Sequence, residues 1–541
     1  MSSVVSLAGR APAAPGAARA GIVAPSEMPL KARMIAFATM VMGMFIALLD
    51  IQIVSASLRD IGGGLSAGSD ETTWVQTAYL IAEIIVIPLS GWLSRVMSTR
   101  WLFSASAVGF TLASLGCAMA WDIQSMIVFR ALQGLLGASM IPMVFTTAFA
   151  FFQGKQRALA AAIIGAIASL APTLGPAVGG WITDHFSWPW LFLVNLGPGT
   201  FVAIAVPLLV KVDQPDWKLL RNADYLGIVL MALFLGCLEY TLEEGPRWDW
   251  FGDDTILATG LVSAVAGVGF VLRSLVAANP VVDLRALKDR NFALGSFFSF
   301  MSGVGIFATI YLTPLFLGRV RGFSALQIGE AVLVTGIAQL ASIPFYVMLA
   351  NRVDLRWLMM FGLGLFGLSM IAFAPITHDW GADQLLLPQI VRGFAQQFAV
   401  APAVTLTLGG LPPARLRLAS GLFNLMRNLG GAIGIAAMAT ILNDRTNQHF
   451  QRIAEHLTPA NEPMAELLQR TGGNLLAAGA DVSDAAAGAL RQLGALVMRE
   501  AQTQTFGDTY IVLLVCFAFT TALVPLMRKA AAPPKAPVAD H

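Results

Sequence analysis

The chain is 541 residues long, and 56% of its residues are hydrophobic whereas only 12% are charged. A soluble domain carries about 25% charged residues, so this composition argues against a water-soluble enzyme, a disordered chain and a nucleic-acid-binding protein. The formal net charge of +2 predicts no polyanionic partner. Three cysteines within apolar runs and five scattered histidines form neither a disulfide framework nor a metal-ligand pattern, so no metal and no cofactor are expected.

Residues 1–30 are rich in Ala, Pro and Gly and predict a disordered tail. Beyond them, apolar segments of about 20 residues recur, each long enough to cross a bilayer as a helix. The fourteen predicted spans are 34–57, 74–94, 101–120, 125–149, 158–182, 190–210, 223–242, 254–275, 292–317, 326–349, 355–375, 384–408, 418–442 and 508–527. Because backbone in lipid must satisfy its own hydrogen bonds and these segments lack barrel alternation, we predict an all-α integral membrane protein.

The orientation of the spans follows from Lys and Arg in the short loops, which are enriched on the cytoplasmic side. One set of loops carries fifteen such residues: Arg95, Arg100, Lys155, Arg157, Lys211, Lys218, Arg221, Arg273, Arg285, Lys288, Arg290, Arg352, Arg356, Arg415 and Arg417. The opposite short loops carry four: Arg59, Arg247, Arg319 and Arg321. We therefore predict that the first set and both termini are cytoplasmic, in a multi-pass membrane protein.

A weak internal repeat suggests how the spans are grouped. Arg130 follows MIVF and precedes Pro142, and Arg392 follows PQIV and precedes Pro402. Pairing these two segments gives six spans, two inserted spans and six more, and repeated halves are typical of transporters. The predicted divisions are a cytoplasmic tail at 1–30, a six-helix bundle at 31–210, an inserted pair with a cytoplasmic linker at 211–290, a second six-helix bundle at 291–530, and a cytoplasmic tail at 531–541.

The connection at 443–507 is unlike the others because it is long, polar and contains helical patterns such as QHFQRIAEHL. Long structured loops usually have a function or are disordered. Two interpretations remain open: a solvated cap over the last two spans, or a docking surface for a partner outside the cytoplasm.

Asp50 and Arg130 are the strongest candidates for proton coupling. Asp50 lies deep in the first span, where a carboxylate costs roughly 2.5–3.5 kcal/mol and should face the bundle interior beside a partner. Arg130 lies in the fourth span as a permanent positive charge that can hold a carboxylate ionised. We interpret Asp50 as a proton-binding acid paired with Arg130. The alternative is a carboxylate that only anchors its helix through hydrogen bonds.

Other embedded polar residues are candidates for a substrate cavity or a proton relay. They are Gln52, Glu83, Glu239, Arg392 and Arg427. Glu239 lies near its helix end, so it could instead reach the membrane interface. For the two arginines, a structural ion pair or a carbonyl contact explains the pattern as well as substrate contact does.

The fifth span contains the dense sequence LAPTLGPAVGGW. Small residues let helices approach closely, and prolines free backbone carbonyls and permit bending. The residues of this proposed gating motif are Pro172, Gly175, Pro176, Gly179 and Gly180.

These segments together resemble the drug:proton antiporters of the major facilitator superfamily, of the fourteen-helix EmrB/QacA type. LLDIQIVSASL resembles the family's first-helix motif LDxTIVNVALP, which places its acid at Asp50. VFRALQGLLGAS resembles the fourth-helix motif RxxQGxGaa, with Arg130, Gln133, Gly134 and Gly137. TLGPAVGG resembles the antiporter motif GPxxGG. The later segment WPWLFLVNLGP resembles WRxxFxxNxP, with Asn195 and Pro198 matching and Pro189 replacing arginine.

The loop after the second span departs from the superfamily pattern GxLaDrxGrr. It reads GWLSRVMSTR, in which Gly91 and Leu93 match, Arg95 stands at the acidic position and Ser98 replaces glycine. A basic residue at this position resembles the EmrB branch. The loss of the usual charge pairs argues against the family's gating latch in its ordinary form.

The resemblance implies a major facilitator fold whose two halves rock around a central cavity, and it implies proton-coupled efflux of amphipathic drugs or toxic compounds. It also implies a location in a bacterial inner membrane. Some relatives work with a periplasmic adaptor of the EmrA type and a TolC-like outer-membrane channel, and the long connection at 443–507 is compatible with the same partners here. The alternatives are a dedicated exporter of one metabolite or siderophore, and a transport-inactive sensor or scaffold. A membrane enzyme lacks a nucleophile constellation, and an ATP-driven pump lacks a GxxxxGK[ST] motif.

Overall fold

The computed structural model describes residues 28–409, 411, 413–457 and 462–529. Of the predicted tails at 1–30 and 531–541, residues 1–27 and 531–541 lie outside these described residues, and the first helix begins at Leu30. Within the described chain every regular element is a helix, which confirms the all-α prediction. Thirteen helices in this part are long and apolar enough to cross a membrane, against the fourteen spans predicted. The remaining predicted span, 384–408, is a helix of 27 residues whose mean hydropathy is lowered by Asp383, Arg392 and four glutamines.

The first bundle contains nine α-helices, because its fourth and sixth spans are each divided into two helices and a short helix follows the first span. The helices are α1 (Leu30–Ala56), α2 (Leu58–Gly64), α3 (Ser69–Met97), α4 (Thr99–Ala118), α5 (Ile123–Gly137), α6 (Met140–Phe151), α7 (Lys155–His185), α8 (Trp190–Leu193) and α9 (Leu196–Leu209). The predicted fourth span is divided into α5 and α6. Asp122 caps α5: its carboxylate accepts a hydrogen bond from the Ser125 N–H, which lowers the pKa of Asp122.

The inserted segment forms a helix pair, α11 and α12, which pack against each other. Its elements are α10 (Lys218–Arg221), α11 (Tyr225–Glu244) and α12 (Asp254–Val276), followed by a short 3-10 helix at Leu284–Lys288. α11 also packs against α3 of the first bundle and against the long helix Pro413–Glu455 of the second.

The second bundle contains α13 (Arg290–Arg319), α14 (Ala325–Ala350), α15 (Leu355–Phe373), α16 (Ala382–Leu408), α17 (Pro413–Glu455), α18 (Glu462–Ala477) and α19 (Val482–Leu523). The helical patterns predicted within 443–507 are confirmed. Their boundaries differ from the prediction, because α17 runs on from the predicted span 418–442 to Glu455 and α19 begins at Val482, ahead of the predicted span 508–527. No proline separates the polar helical sequence from the apolar sequence in either helix, so hydropathy marks the membrane boundary but not the helix end.

The two bundles meet tightly at the end of the helices that carries the Lys/Arg-rich loops, which we call the basic end. There the apolar core of the first bundle continues into the second through side chains such as Val404 on α16 and Phe423 on α17. Phe145 packs against Phe423 with ring centroids 6.3 Å apart, and Arg157 donates a 2.9 Å hydrogen bond to the Gly409 carbonyl. The interface between the bundles is therefore closed at the basic end.

Candidate functional site

Asp50 on α1 is completely buried and accepts three hydrogen bonds from side chains of the first bundle. Arg130 Nη1 donates at 2.5 Å, Asn195 Nδ2 at 2.6 Å and Gln133 Nε2 at 3.1 Å. A buried carboxylate is tolerated when it is paired and its lone pairs are occupied. The structure thus brings together the two residues that the sequence predicted as a pair.

Arg130 on α5 is held by contacts around its guanidinium plane. Its Nε donates to the Val75 carbonyl at 3.0 Å, and its Nη1 also donates to Gln133 Oε1 at 2.6 Å. The group lies over the Tyr79 ring, 4.3 Å from the centroid, in a cation–π arrangement. Its Nη2 has no hydrogen-bond partner. The charge is thus positioned by several elements rather than by Asp50 alone.

Two residues of this site were missed by the sequence analysis. Ser114 on α4 accepts hydrogen bonds from Gln133 and Asn195 and so orients both amides toward Asp50. Tyr79 on α3 supplies the ring beneath Arg130. A serine or tyrosine in an apolar helix carries no local signal of such a role, because only the packing of α3, α4 and α5 creates it.

A cavity between the bundles contains the other predicted acids. Its wide chamber, about 410 Å³, adjoins a narrow one of about 60 Å³. Gln52, Glu83 and Glu239 line the narrow chamber, and Gln52 also lines the wide one. Glu239 is only 5% exposed, so it faces the cavity rather than the membrane interface. Glu243, which the sequence analysis did not single out, lines both chambers and lies one helical turn after Glu239.

The structure separates Arg392 and Arg427 from the cavity lining, although both are buried. Arg392 on α16 donates to Thr335 Oγ1 at 2.8 Å and lies 5.6 Å from the Phe373 ring centroid. Arg427 on α17 lies 5.7 Å from the Phe145 ring centroid. These are contacts with a hydroxyl and with aromatic rings, and neither arginine has an ion pair within the described residues.

The glycine motif of α7 brings three helices close together. A Cβ on Gly179 would lie 2.7 Å from the Ile53 carbonyl of α1, and one on Gly180 would lie 2.9 Å from Ala325 Cβ of α14. Gly175 packs directly on Gln52, and Pro176 lines the cavity. α7 therefore connects the segment just after Asp50 to the opposite bundle.

The loop after the second span is part of the closed basic end. A Cβ on Gly91 would lie 2.5 Å from the Arg417 carbonyl of α17, so only glycine permits this approach. Arg95 has a backbone role, because its carbonyl accepts a hydrogen bond from the Asp216 N–H at 3.2 Å. An acid is supplied from elsewhere: Asp213 accepts from Thr99 Oγ1 at 2.8 Å and forms a 3.0 Å ion pair with Arg417. The charge pair missing from the loop motif is thus replaced by an acid that follows α9.

Sequence comparisons identify the family. Residues 40–435 match the profile of the Major Facilitator Superfamily. The chain is 37% identical over 505 residues to the "Colistin resistance protein EmrB" of Acinetobacter baumannii, which covers 93% of this chain and 98% of the relative. It is 30% identical over 441 residues to the "Multidrug export protein EmrB" of Escherichia coli K12, covering 80% of this chain and 85% of the relative.

Solved structures agree on the fold. The human organic anion transporter MFSD10 superposes with a TM-score of 0.52 at 14% identity, covering 91% of this chain and all of that one. A bacterial homologue of the lysosomal transporter Spinster, in an inward-facing state, gives a TM-score of 0.52 at 14% identity and covers 94% of this chain and all of that one. The chain therefore belongs to the Major Facilitator Superfamily of membrane transporters, in its EmrB-like branch.

Proposed function

We propose that the protein exports amphipathic drugs or toxic compounds across a bacterial inner membrane in exchange for protons. The observation that carries the proposal is the buried Asp50–Arg130 ion pair, because a proton on Asp50 removes the charge that Arg130 neutralises. Relatives named as exporters and as resistance proteins support the direction and the class of substrate. With the basic end in the cytoplasm, as the loop charges predict, the interface is closed to the cytoplasm.

The contacts of α1 suggest how a proton would move the bundles. Asp50 faces the interior of the first bundle, whereas Gln52 on the same helix faces the cavity and packs on Gly175 of α7. Protonation of Asp50 loosens its bonds to α5 and α9, so α1 can shift against α7, and α7 carries the displacement to α14 through Gly180. In this cycle Asp50 takes up a proton from outside, substrate leaves, the protein turns inward, and the proton is released beside Arg130.

The energy available from one proton is sufficient. A driving force of roughly 150 mV supplies about 3.5 kcal/mol. That free energy sustains roughly a 300-fold substrate gradient. One acid whose proton affinity differs between the two states is therefore enough.

The experiment that tests this function uses purified protein in liposomes under an imposed pH gradient. We expect proton release from the vesicle interior when any of several unrelated amphipathic compounds is added, and none without protein. A response to one compound class alone would favour a dedicated exporter. The absence of any response, with binding retained, would favour a sensor or scaffold.

We further propose that α17, α18 and α19 dock a periplasmic adaptor of the EmrA type, which would lead to a TolC-like channel. α17 has 43 residues and α19 has 42, so each helix is about 65 Å long at about 1.5 Å per residue. A bilayer core needs only about 30 Å. Replacing α18 by a short linker should leave transport in liposomes intact but abolish drug resistance in cells. Unchanged resistance would favour a solvated cap.

A further inference from the structure

The inserted helix α11 contacts both bundles, packing against α3 of the first and α17 of the second. At the end opposite the basic end, the Trp74 ring of α3 stacks on Tyr240 of α11 with centroids 5.4 Å apart. On the other side, Trp250, just after α11, donates to Thr440 Oγ1 of α17 at 3.0 Å. Asn443 of α17 donates to the Pro246 carbonyl at 2.9 Å. α11 is therefore anchored to both bundles where they separate around the cavity.

This position turns one face of α11 toward the cavity. Glu239 and Glu243 are four residues apart and lie on that face, and Glu83 of α3 joins them in the narrow chamber. Glu83 Oε1 and Glu239 Oε2 are buried and have no hydrogen-bond partner, although the two residues are only 3% and 5% exposed. Buried carboxylate oxygens without a partner are costly unless a ligand completes the site.

The charge of the lining favours a cation. Among the described residues that line the two chambers, three are glutamates and none is lysine or arginine. The buried arginines of the second bundle, Arg392 and Arg427, lie outside the lining. In the described chain no three His, Cys, Asp or Glu side chains are arranged to hold a metal ion, so the acids are too dispersed for metal coordination.

The shape and the remaining lining favour an organic cation. The wide chamber is about 410 Å³, within the range of about 300–1,000 Å³ for drug-sized ligands. Phe307 and Tyr311 supply aromatic surface, which attracts cations as well as apolar groups. Glu243 lies at the junction of the two chambers, so a ligand can place its charge at the acidic narrow end and its apolar body in the wide one.

We propose that this cavity binds lipophilic organic cations, and that α11 of the inserted pair supplies two of the three carboxylates that attract the charge. The proposal rests on the proposed function in that it names the substrate class of the same exporter. It assigns the inserted pair a direct part in substrate selection, beyond that of a spacer between the bundles.

Equilibrium binding to the purified full-length protein, without any gradient, tests the proposal. The probe is tetraphenylphosphonium, and tetraphenylborate is its anionic counterpart of nearly the same size and shape. We expect saturable binding of the cation and at least about tenfold weaker binding of the anion. Each of Glu239→Gln and Glu243→Gln should weaken cation binding about tenfold, as loss of a charged partner does, and the double variant more. Glu330→Gln, which removes an exposed acid on α14 outside the lining, is the matched control and should bind as wild type does.

Glu239→Asp and Glu243→Asp, which keep the charge, separate charge loss from misfolding. They should recover most of the cation affinity, with thermal unfolding monitored for every variant. Equal binding of both probes, or unchanged binding in the double glutamine variant, would overturn the proposal. If the glutamine variants retained cation binding but lost substrate-driven proton release in liposomes, the proposal would also be overturned, and α11 would be a proton relay. The binding assay needs no gradient, so cation binding without transport would contradict the proposed export function and leave this inference intact. Proton-coupled transport of neutral compounds alone would contradict this inference and leave the export function intact.

Discussion

Arg130 and Arg392, which the predicted repeat places at matching positions of the two halves, have different surroundings. Arg130 pairs with a carboxylate, bonds a backbone carbonyl and lies over Tyr79. Arg392 donates a hydrogen bond to the hydroxyl of Thr335 and lies over the Phe373 ring, and its Nε and Nη1 have no hydrogen-bond partner among the described residues. α13, the first helix of the second half, contains no acid to match Asp50 of α1. We therefore propose that proton coupling resides in the first half, and that the second half supports the fold without a coupling pair of its own.

Asp50→Asn is the sharpest test of this asymmetry and has the largest expected effect. Neutral asparagine cannot exchange a proton, so proton-coupled export should fall by at least about 100-fold while substrate binding persists. The free energy of unfolding should fall by about 3–5 kcal/mol, since Arg130 is left as an uncompensated buried charge. Transport assays in liposomes measure the loss of export, and thermal unfolding of the same preparations measures the loss of stability. Asp60→Asn on the exposed face of α2 is the control, and substrate-driven proton movement surviving in the Asp50 variant would refute the assignment.

The double variant Asp50→Asn with Arg130→Gln separates stability from coupling. Removing both charges eliminates the unpaired ion, so the double variant should regain part of the stability that Asp50→Asn loses. Transport should stay absent, because position 50 no longer carries a titratable group. Thermal unfolding of the wild type, both single variants and the double variant forms the thermodynamic cycle. Additive losses of stability would show that the pair is not coupled in the way its geometry indicates.

Arg392→Met asks whether the second arginine differs as its contacts suggest. Since Arg392 has no acid partner among the described residues, replacing it with an apolar side chain of similar length should leave the free energy of unfolding within about 1 kcal/mol of wild type, or raise it. Transport should fall no more than about twofold. Arg130→Met, measured in parallel, should be strongly destabilised and inactive. If the two substitutions lowered stability and transport equally, the two arginines would contribute equally to folding and to transport.

Gly91→Ala tests where the two halves meet. The added methyl would press on the Arg417 carbonyl, so the basic end should separate slightly and transport should slow a few-fold. Spin labels at Gln156 and Arg415, in a background without the three native cysteines, would report the distance between the bundles. Gly197→Ala, whose methyl would have no neighbour within 4 Å, should leave the distance unchanged. Identical distances in both variants would argue against a glycine-dependent closure.

Sequence patterns predicted the architecture well because lipid permits few solutions. A run of apolar residues must be a helix, and an embedded acid must find a partner, so Asp50 and Arg130 could be paired from 80 residues apart in the chain. The sequence could not place helix ends outside the membrane, as α17 and α19 illustrate. It also gave Ser114 and Glu243 no distinguishing pattern.

The sequence by itself determined that the chain crosses a membrane many times, which of its ends carries the basic loops, and which acid and arginine form the buried pair. Each of these follows from composition or from a local motif. Only the tertiary structure decided that α11 contacts both bundles, that Glu239 and Glu243 face the cavity, and that Asp213 rather than the loop motif supplies the acid for Arg417. Those relations join residues far apart in the chain, and they depend on how helices pack, which hydropathy does not encode.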